Sequence, residues 1–247
     1  MFRSIHVLSG ETLFERAPQP YADFAHDLTE LRCRQSRFAA LPVNRRAALL
    51  LELADKLARE RDTLAQMVCR EVGRCLRECQ AELDKSVDLI RYYAHLSPEL
   101  LAHKTIATQA SLSQVRFEPL GVVLAVMPWN YPVWQVLRFA IPALCAGNAC
   151  VVKPAPSVAG VTQALFDLVG DDLPMMVAWY LHRMPLPPRI PVVLVAGMII
   201  GVPTALVMRL PPALQPPAEG DAAAQAAYQQ RLRQHLGRNR HLADSTL

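Results

Sequence analysis

Between Tyr21 and Leu101 the apolar positions recur at the spacing of amphipathic α-helices. The first clear stripe consists of leucines at intervals near 3.6 residues, namely Leu49, Leu53, Leu57 and Leu64. Charged residues occupy the opposite face, namely Arg45, Glu52, Lys56 and Arg59. The pattern therefore predicts a helical N-terminal layer.

Gly73 interrupts this pattern, and a second amphipathic run follows it. The apolar stripe of the second run consists of Leu76, Cys79, Leu83, Val87, Ile90 and Ala94. We place its charged members, Glu78, Glu82, Asp84 and Arg91, outside that stripe. Ser97-Pro98 predicts the end of this helix, because the residue before a proline avoids the helical conformation.

Farther along the chain, the pattern changes from helices to alternating strands and helices. Val122 to Val126 is a continuous apolar run of the buried-strand type, and Ala149 to Val152 is a second one. Trp134 to Leu144 lies between them and predicts a helix broken by Pro142. We expect the two strands to be parallel neighbours, as in a βαβ unit.

The composition changes again after Leu165, where prolines become frequent. Pro191 to Met208 is an uncharged apolar stretch between two arginines, which reaches the lower limit for a membrane-spanning helix. The alternative is a buried strand, Val192 to Ala196, followed by a loop. Ala218 to Gln230 predicts a helix that leads into a basic tail, which is either a solvated end or the positive flank of a membrane span.

Composition narrows the function classes only slightly. The 52% apolar content is enough for a folded core, and the net charge of +4 does not call for a nucleic-acid partner. The N-terminus has no sustained apolar segment of a secretory signal, so we expect reduced thiols and a cytoplasmic protein, with membrane association as the alternative. Cys75 and Cys79 are one helical turn apart, and helix packing explains them better than a metal site does.

One segment carries a specific family resemblance. Phe117 to Pro156 reads FEPLGVVLAVMPWNYPVWQVLRFAIPALCAGNACVVKPAP. This segment resembles the aldehyde dehydrogenase superfamily, and especially its succinate-semialdehyde dehydrogenase-like branch. The helical region before it resembles the part of the family that precedes this segment. The resemblance implies an α/β fold, in which a helical N-terminal layer precedes an incomplete Rossmann-like parallel sheet. Composition adds a Pro-rich C-terminal region that is either membrane-associated or strand-forming.

The resemblance also implies roles for four residues. Asn130 matches the asparagine whose amide stabilises the oxyanion of the tetrahedral intermediate, although an Asx turn before Pro132 would also explain an asparagine here. Lys153 matches the lysine that contacts the adenosine ribose of NAD or NADP, with a solvated strand end as the alternative. Trp129 and Pro128 would shape the neighbouring cleft, and aromatic packing explains them equally well.

Some family features are changed or missing. The family usually has a lysine where this chain has Arg74, and Cys145 and Cys150 are better explained as core thiols than as nucleophiles. After Leu165 we find no convincing match to the glycine-rich turn, the glutamate base or the cysteine in a GQxC-like setting. We therefore expect a truncated, catalytically incomplete chain.

Three functions remain open at this point. The first is NAD- or NADP-dependent oxidation of a small aldehyde such as succinate semialdehyde. The second is a non-catalytic fusion with a membrane-associated tail, and the third is a fragment that forms homo-oligomers or associates with intact homologues. The expected organisation is a dehydrogenase-like region at residues 1–165, a Pro-rich segment at 166–217 with a transmembrane helix at 191–208, and a helical, basic tail at 218–247.

Overall fold

The computed structural model describes residues 1–179, 192–195 and 205–208. The helices are α1 (Tyr21–Ala39), α2 (Val43–Arg59), α3 (Arg61–Val72), α4 (Leu76–Leu100), α5 (Pro132–Cys145) and α6 (Ala159–Val169). The strands are β1 (Phe2–Ile5), β2 (Thr12–Arg16), β3 (Lys104–Thr105), β4 (Gln114–Val115), β5 (Val122–Val126), β6 (Ala149–Lys153), β7 (Met175–Val177), β8 (Val192–Val195) and β9 (Ala205–Met208). A short 3₁₀ turn, Pro156–Val158, precedes α6.

The predicted helical layer is confirmed as helices α1 to α4. Gly73 ends α3 in the left-handed conformation with φ of 84°, which a glycine adopts without steric cost. The predicted stop at Ser97-Pro98 is wrong, because α4 continues to Leu100. Pro98 cannot donate to the carbonyl of Ala94, and the hydroxyl of Ser97 donates to that carbonyl instead, at 3.4 Å.

Helix α5 is longer than the sequence predicted and is not broken. It begins at Pro132, where the fixed φ of proline suits the first helical position, and it continues through Pro142 to Cys145. The buried neighbours Ile141 and Leu144 keep the last turns packed against the core. Tertiary packing therefore outweighs the single hydrogen bond lost at Pro142.

The central sheet has the order β7-β6-β5-β8-β9. Strands β5 and β6 are parallel neighbours in the register Val122↔Ala149 to Val126↔Lys153, which confirms the predicted βαβ unit. Strands β7 and β8 pair in parallel with β6 and β5, respectively, whereas β9 pairs with β8 in the antiparallel direction. Because β5 and β6 run in parallel, their carboxyl ends meet at one edge of the sheet.

The prediction of a helix over 191–208 is wrong for the parts of this stretch that the structure describes, and the alternative of a strand beginning at Val192 is confirmed, while membrane association stays a prediction. Val192–Val195 and Ala205–Met208 are strands. Their backbone groups pair with each other, and β8 also pairs with β5, so the same groups are not available for helical hydrogen bonds. No helix among the described residues is long and apolar enough to cross a membrane.

The other predictions for the C-terminal region fall on residues outside the described ones. These are the remainder of the Pro-rich segment from 180 onward and the helical, basic tail at 218–247. The expected cytoplasmic location likewise stays a prediction.

The buried core continues beyond Leu165 in the described residues up to 179. Helix α6 crosses that position, and Leu173 and Trp179 beyond it are buried. The N-terminal hairpin of β1 and β2 covers this side of the sheet, and the ring of Phe2 lies edge-on to Trp179 with centroids 5.1 Å apart. The core therefore includes at least the residues up to 179.

Glu71 of α3 joins the helical layer to the start of α6. Its carboxylate accepts a hydrogen bond from the Ser4 hydroxyl at 2.5 Å and one from the backbone N–H of Val161 at 3.1 Å. Burial raises the pKa of Glu71, and these donors partly oppose the shift. The N-terminus of α6 thus receives a carboxylate from another layer, which suits the positive end of the helix dipole.

Arg46 of α2 is a buried arginine without an acidic partner among the described residues. Its guanidinium donates to the carbonyls of Cys145 at 3.1 Å, Ala39 at 3.1 Å and Leu41 at 2.5 Å. One side chain thus serves carbonyls at the ends of two helices.

We expect Arg46→Met to lower the free energy of unfolding by about 2–4 kcal/mol, because three carbonyls lose a charged donor. Urea unfolding followed by circular dichroism measures this loss. Arg45→Met is the matched control on the exposed neighbouring position and should change stability by no more than about 0.5 kcal/mol. Equal stabilities of the two variants would contradict the role given to Arg46.

Glu71→Gln should reveal a pH-dependent contribution to stability. Because the pKa of Glu71 is raised, the folded state binds its proton more tightly than the unfolded chain does. The stability contribution of protonation is fully present below the unfolded pKa and is lost as the pH rises through the folded pKa. The free energy of unfolding of the wild type, minus that of the variant, should therefore decrease as the pH rises from about 4, near the ordinary pKa of a glutamate, through the raised pKa of Glu71.

Urea titrations at several pH values test this, with Glu78→Gln as a control for the change in net charge at an exposed position. A difference that grows with rising pH would show that the pKa of Glu71 is lowered instead.

Candidate functional site

The candidate site lies where β5 and β6 end. The loop after β5, residues 127–131, carries Trp129 and Asn130, and Lys153 is the last residue of β6. The backbone N–H of Met127 donates to the carbonyl of Lys153 at 2.9 Å, so the loop starts directly beside that lysine. The three residues predicted from the sequence are thus placed at one edge of the sheet, which is where open α/β sheets bind ligands.

The side-chain amide of Asn130 has no hydrogen-bond partner among the described residues. Its oxygen is buried without a donor, and its amide nitrogen makes no hydrogen bond either. The Asx turn that would give this asparagine a purely structural role is therefore not formed. The backbone of Asn130, in contrast, is held, because its carbonyl accepts a hydrogen bond from Arg74 at 3.1 Å.

The other two predicted residues differ in their environments. Lys153 is half-buried, and burial lowers the pKa of its ammonium group. Trp129 is 56% exposed, so its indole is not a packing element of the core, while Pro128 is half-buried. The loop thus carries an exposed aromatic side chain, Trp129, and the partly desolvated cation of Lys153 lies at the neighbouring strand end.

Glu82 is a residue of this region whose place the sequence pattern did not reveal. We expected it on the polar face of α4, but it is buried, and that expectation is wrong. Its carboxylate accepts hydrogen bonds from the backbone N–H groups of Val133 at 2.9 Å and Trp134 at 3.0 Å, at the first turn of α5. The available signal was its spacing, because it lies three residues after buried Cys79 and four before buried Ser86.

Arg74 completes the cluster. It pairs with Glu82 through Nη2, and its guanidinium lies 4.1 Å from the ring centroid of Tyr131. Burial raises the pKa of Glu82, an effect that the two backbone donors and Arg74 oppose. The geometry fits the ionised carboxylate, since its oxygens contact only donors. Arginine in place of the family's usual lysine thus donates to two acceptors at once, the carboxylate of Glu82 and the carbonyl of Asn130.

The cysteines are placed as core or surface thiols. Cys145 and Cys150 are buried, as expected, and burial raises the pKa of both thiols. Cys79 is buried and Cys75 is exposed. No group of three His, Cys, Asp or Glu side chains in the described part of the chain is arranged to hold a metal ion.

Comparisons with known proteins agree with this geometry. The model of the aldehyde dehydrogenase family matches residues 4–183. A probable NADP-dependent succinate-semialdehyde dehydrogenase of Synechocystis is 41% identical over 131 residues, which are 53% of this chain and 29% of that protein. The succinate semialdehyde dehydrogenase Sad of Escherichia coli is 33% identical over 169 residues, which are 68% of this chain and 36% of that protein.

The fold is shared with solved structures. A succinic semialdehyde dehydrogenase from Streptococcus pyogenes, in complex with NADP+, superposes with a TM-score of 0.73 at 24% identity and covers 78% of this chain and 45% of its own. A glyceraldehyde-3-phosphate dehydrogenase from Methanocaldococcus jannaschii, complexed with NADP, gives a TM-score of 0.67 at 18% identity, and the match covers 72% of this chain and 40% of that one.

The chain spans about a third of the length of the two curated relatives. The family model nevertheless matches most of the chain, including the loop of Asn130 and the strand end at Lys153. This chain belongs to the aldehyde dehydrogenase family.

Proposed function

We propose that this chain is part of an NAD- or NADP-dependent aldehyde dehydrogenase that oxidises a small aldehyde, such as succinate semialdehyde, to the acid. The observation that supports this most directly is the Asn130 amide, which is unpaired at the carboxyl edge of the sheet while its backbone is held. The named relatives that act on succinate semialdehyde support the choice of substrate class.

The residues present fit a dinucleotide at this edge. Lys153 ends a parallel strand and is partly desolvated, and Trp129 is exposed on the loop that starts beside this strand end. In this proposal the Lys153 ammonium donates to a ribose hydroxyl and the Trp129 indole borders the cofactor cleft. The dinucleotide, when bound, supplies the hydride acceptor.

Asn130 has the chemical role of a neutral donor. Its amide N–H donates to the oxygen that becomes negatively charged when a nucleophile attacks the aldehyde carbon. An amide neither competes as a nucleophile nor titrates in the working pH range, so it stabilises the charge without a side reaction.

The covalent pathway needs two more groups. A thiolate must attack the carbonyl carbon, and a base must activate water for hydrolysis of the thioester. No cysteine in these 247 residues has the GQxC-like setting, and Cys145 and Cys150 are buried in the core. We therefore propose that turnover requires groups that these residues do not supply.

Dinucleotide binding tests the cofactor part of the proposal. We expect weak binding of NAD+ or NADP+ to the chain, and Lys153→Ala should weaken it by about tenfold, because a charged donor to the ribose is lost. Isothermal titration calorimetry measures both affinities, with Lys104→Ala, an exposed lysine on β3, as the control. The proposed contact is wrong if the two variants bind alike, or if the wild type binds neither dinucleotide.

Turnover tests the catalytic part. We expect no formation of reduced dinucleotide at a family-typical rate with short aldehydes, including succinate semialdehyde. Loss of an oxyanion donor alone would reduce turnover by about 10²–10³, whereas absence of the nucleophile removes the covalent pathway. Robust activity that one single Cys→Ala substitution abolishes would identify a working nucleophile among the six cysteines and overturn this expectation.

A further inference from the structure

The carboxylate of Glu82 connects three parts of the chain. Its side chain is 0% exposed. One oxygen, Oε1, accepts the backbone N–H groups of Val133 and Trp134 at the start of α5, and the other, Oε2, faces Arg74 in the turn between α3 and α4. An ionised carboxylate only accepts hydrogen bonds, and here each of its two oxygens faces a donor.

Arg74 carries the connection onward to the loop of Asn130. Its Nη1 donates to the Asn130 carbonyl at 3.1 Å, and its guanidinium stacks near the ring of Tyr131. Only 14% of the Arg74 side chain is exposed, so its donors are mostly shielded from solvent. The backbone around Asn130 is therefore held from the helical layer, and its side-chain amide takes no part in holding it.

We propose that Glu82 and Arg74 are positioning residues for Asn130: Glu82 orients Arg74 and the first turn of α5, and Arg74 holds the Asn130 carbonyl so that the side-chain amide stays free for a ligand oxygen. This rests on the proposed function, in which that amide donates to the oxyanion. A donor stabilises a developing charge efficiently only when it is already in place before the reaction.

Glu82 also has a simpler role, which is to cap α5, and one substitution separates the two. In Glu82→Gln the side-chain oxygen still accepts the N–H groups of Val133 and Trp134. The new amide nitrogen replaces the oxygen that faced Arg74, so two donors face each other and the pair is lost. Glu82→Gln should therefore keep the cap and release Arg74.

Selective ¹⁵N labelling of asparagine in the full chain provides the readout. The chain has four asparagines, namely Asn44, Asn130, Asn148 and Asn239. Asn148 is an internal control, because its side-chain oxygen accepts from the backbone N–H groups of Leu120 and Gly121 and its nitrogen donates to the Ala143 carbonyl. The side-chain NH₂ signals of Asn130 and Asn148, assigned by single Asn→Ala substitutions, are compared between variants.

We expect the Asn130 signal to shift or broaden in Glu82→Gln and in Arg74→Gln, with no further change in the double variant, while the Asn148 signal stays in place. Glu71→Gln is the matched control, since it alters the same kind of buried carboxylate at the start of α6 without a contact to the Asn130 loop. An Asn130 signal that is unchanged in both Glu82→Gln and Arg74→Gln would overturn the proposal.

Hydrogen exchange checks the capping role separately. In Glu82→Leu the N–H groups of Val133 and Trp134 lose their charged acceptor, and their exchange should become about 10- to 100-fold faster than in Glu82→Gln. If Glu82→Gln loses this protection to the same extent and the Asn130 signal changes only along with it, Glu82 is a cap alone and the proposal fails. If Glu82→Leu does not fold, Glu82→Gln and Arg74→Gln decide the question through the Asn130 signal.

These measurements contain neither dinucleotide nor aldehyde, so their outcome does not depend on the proposed activity. A wild-type chain that fails to bind dinucleotide, but shows the coupled Asn130 signal, would refute the proposed function and leave the positioning role intact. The reverse result would refute the positioning role alone.

Discussion

Two buried glutamates connect the helical layer to the sheet layer, and the positions of the βαβ elements depend on them. Glu82 of α4 accepts the first N–H groups of α5, and Glu71 of α3 accepts an N–H group at the start of α6. Burying a carboxylate is costly unless donors surround it, and the exposed N–H groups of a helix N-terminus are such donors. The helices of the sheet layer thus supply the donors that the buried carboxylates need, and the carboxylates supply the acceptors that the first N–H groups of α5 and α6 need.

The two junctions differ in what else they hold. At Glu71 the additional donor is the hydroxyl of Ser4, a neutral group that ties in the N-terminal hairpin. At Glu82 it is Arg74, a cation that reaches farther and contacts the loop of Asn130. The charged pair therefore belongs to the candidate site, whereas the neutral one belongs to the scaffold.

Local patterns were sufficient for the strands and for most of the helical layer. The apolar runs Val122 to Val126 and Ala149 to Val152 are buried on both faces except at Val126, so their composition alone identified them. The errors arose where a distant partner decides the outcome. β8 lies beside β5, and Glu82 faces a helix about fifty positions later in the sequence. The end of α4 is a local exception, because the neighbouring Ser97 hydroxyl serves the carbonyl that Pro98 leaves free. The place of Asn130 followed from family resemblance, but its unpaired amide required coordinates. The boundaries of the domains at 165 and 217 stay predictions.

Gly160, the second residue of α6, has a further consequence for the folding order of the chain. A side chain there would collide with the carboxylate of Glu71, so the helix approaches the helical layer only because this position has none. Glycine weakens a helix by about 1 kcal/mol relative to alanine, and an 11-residue helix is marginal on its own in water. As a hypothesis, α6 gains its structure only on docking, after α3 has formed, and a peptide of residues 156–170 would be largely unstructured in solution.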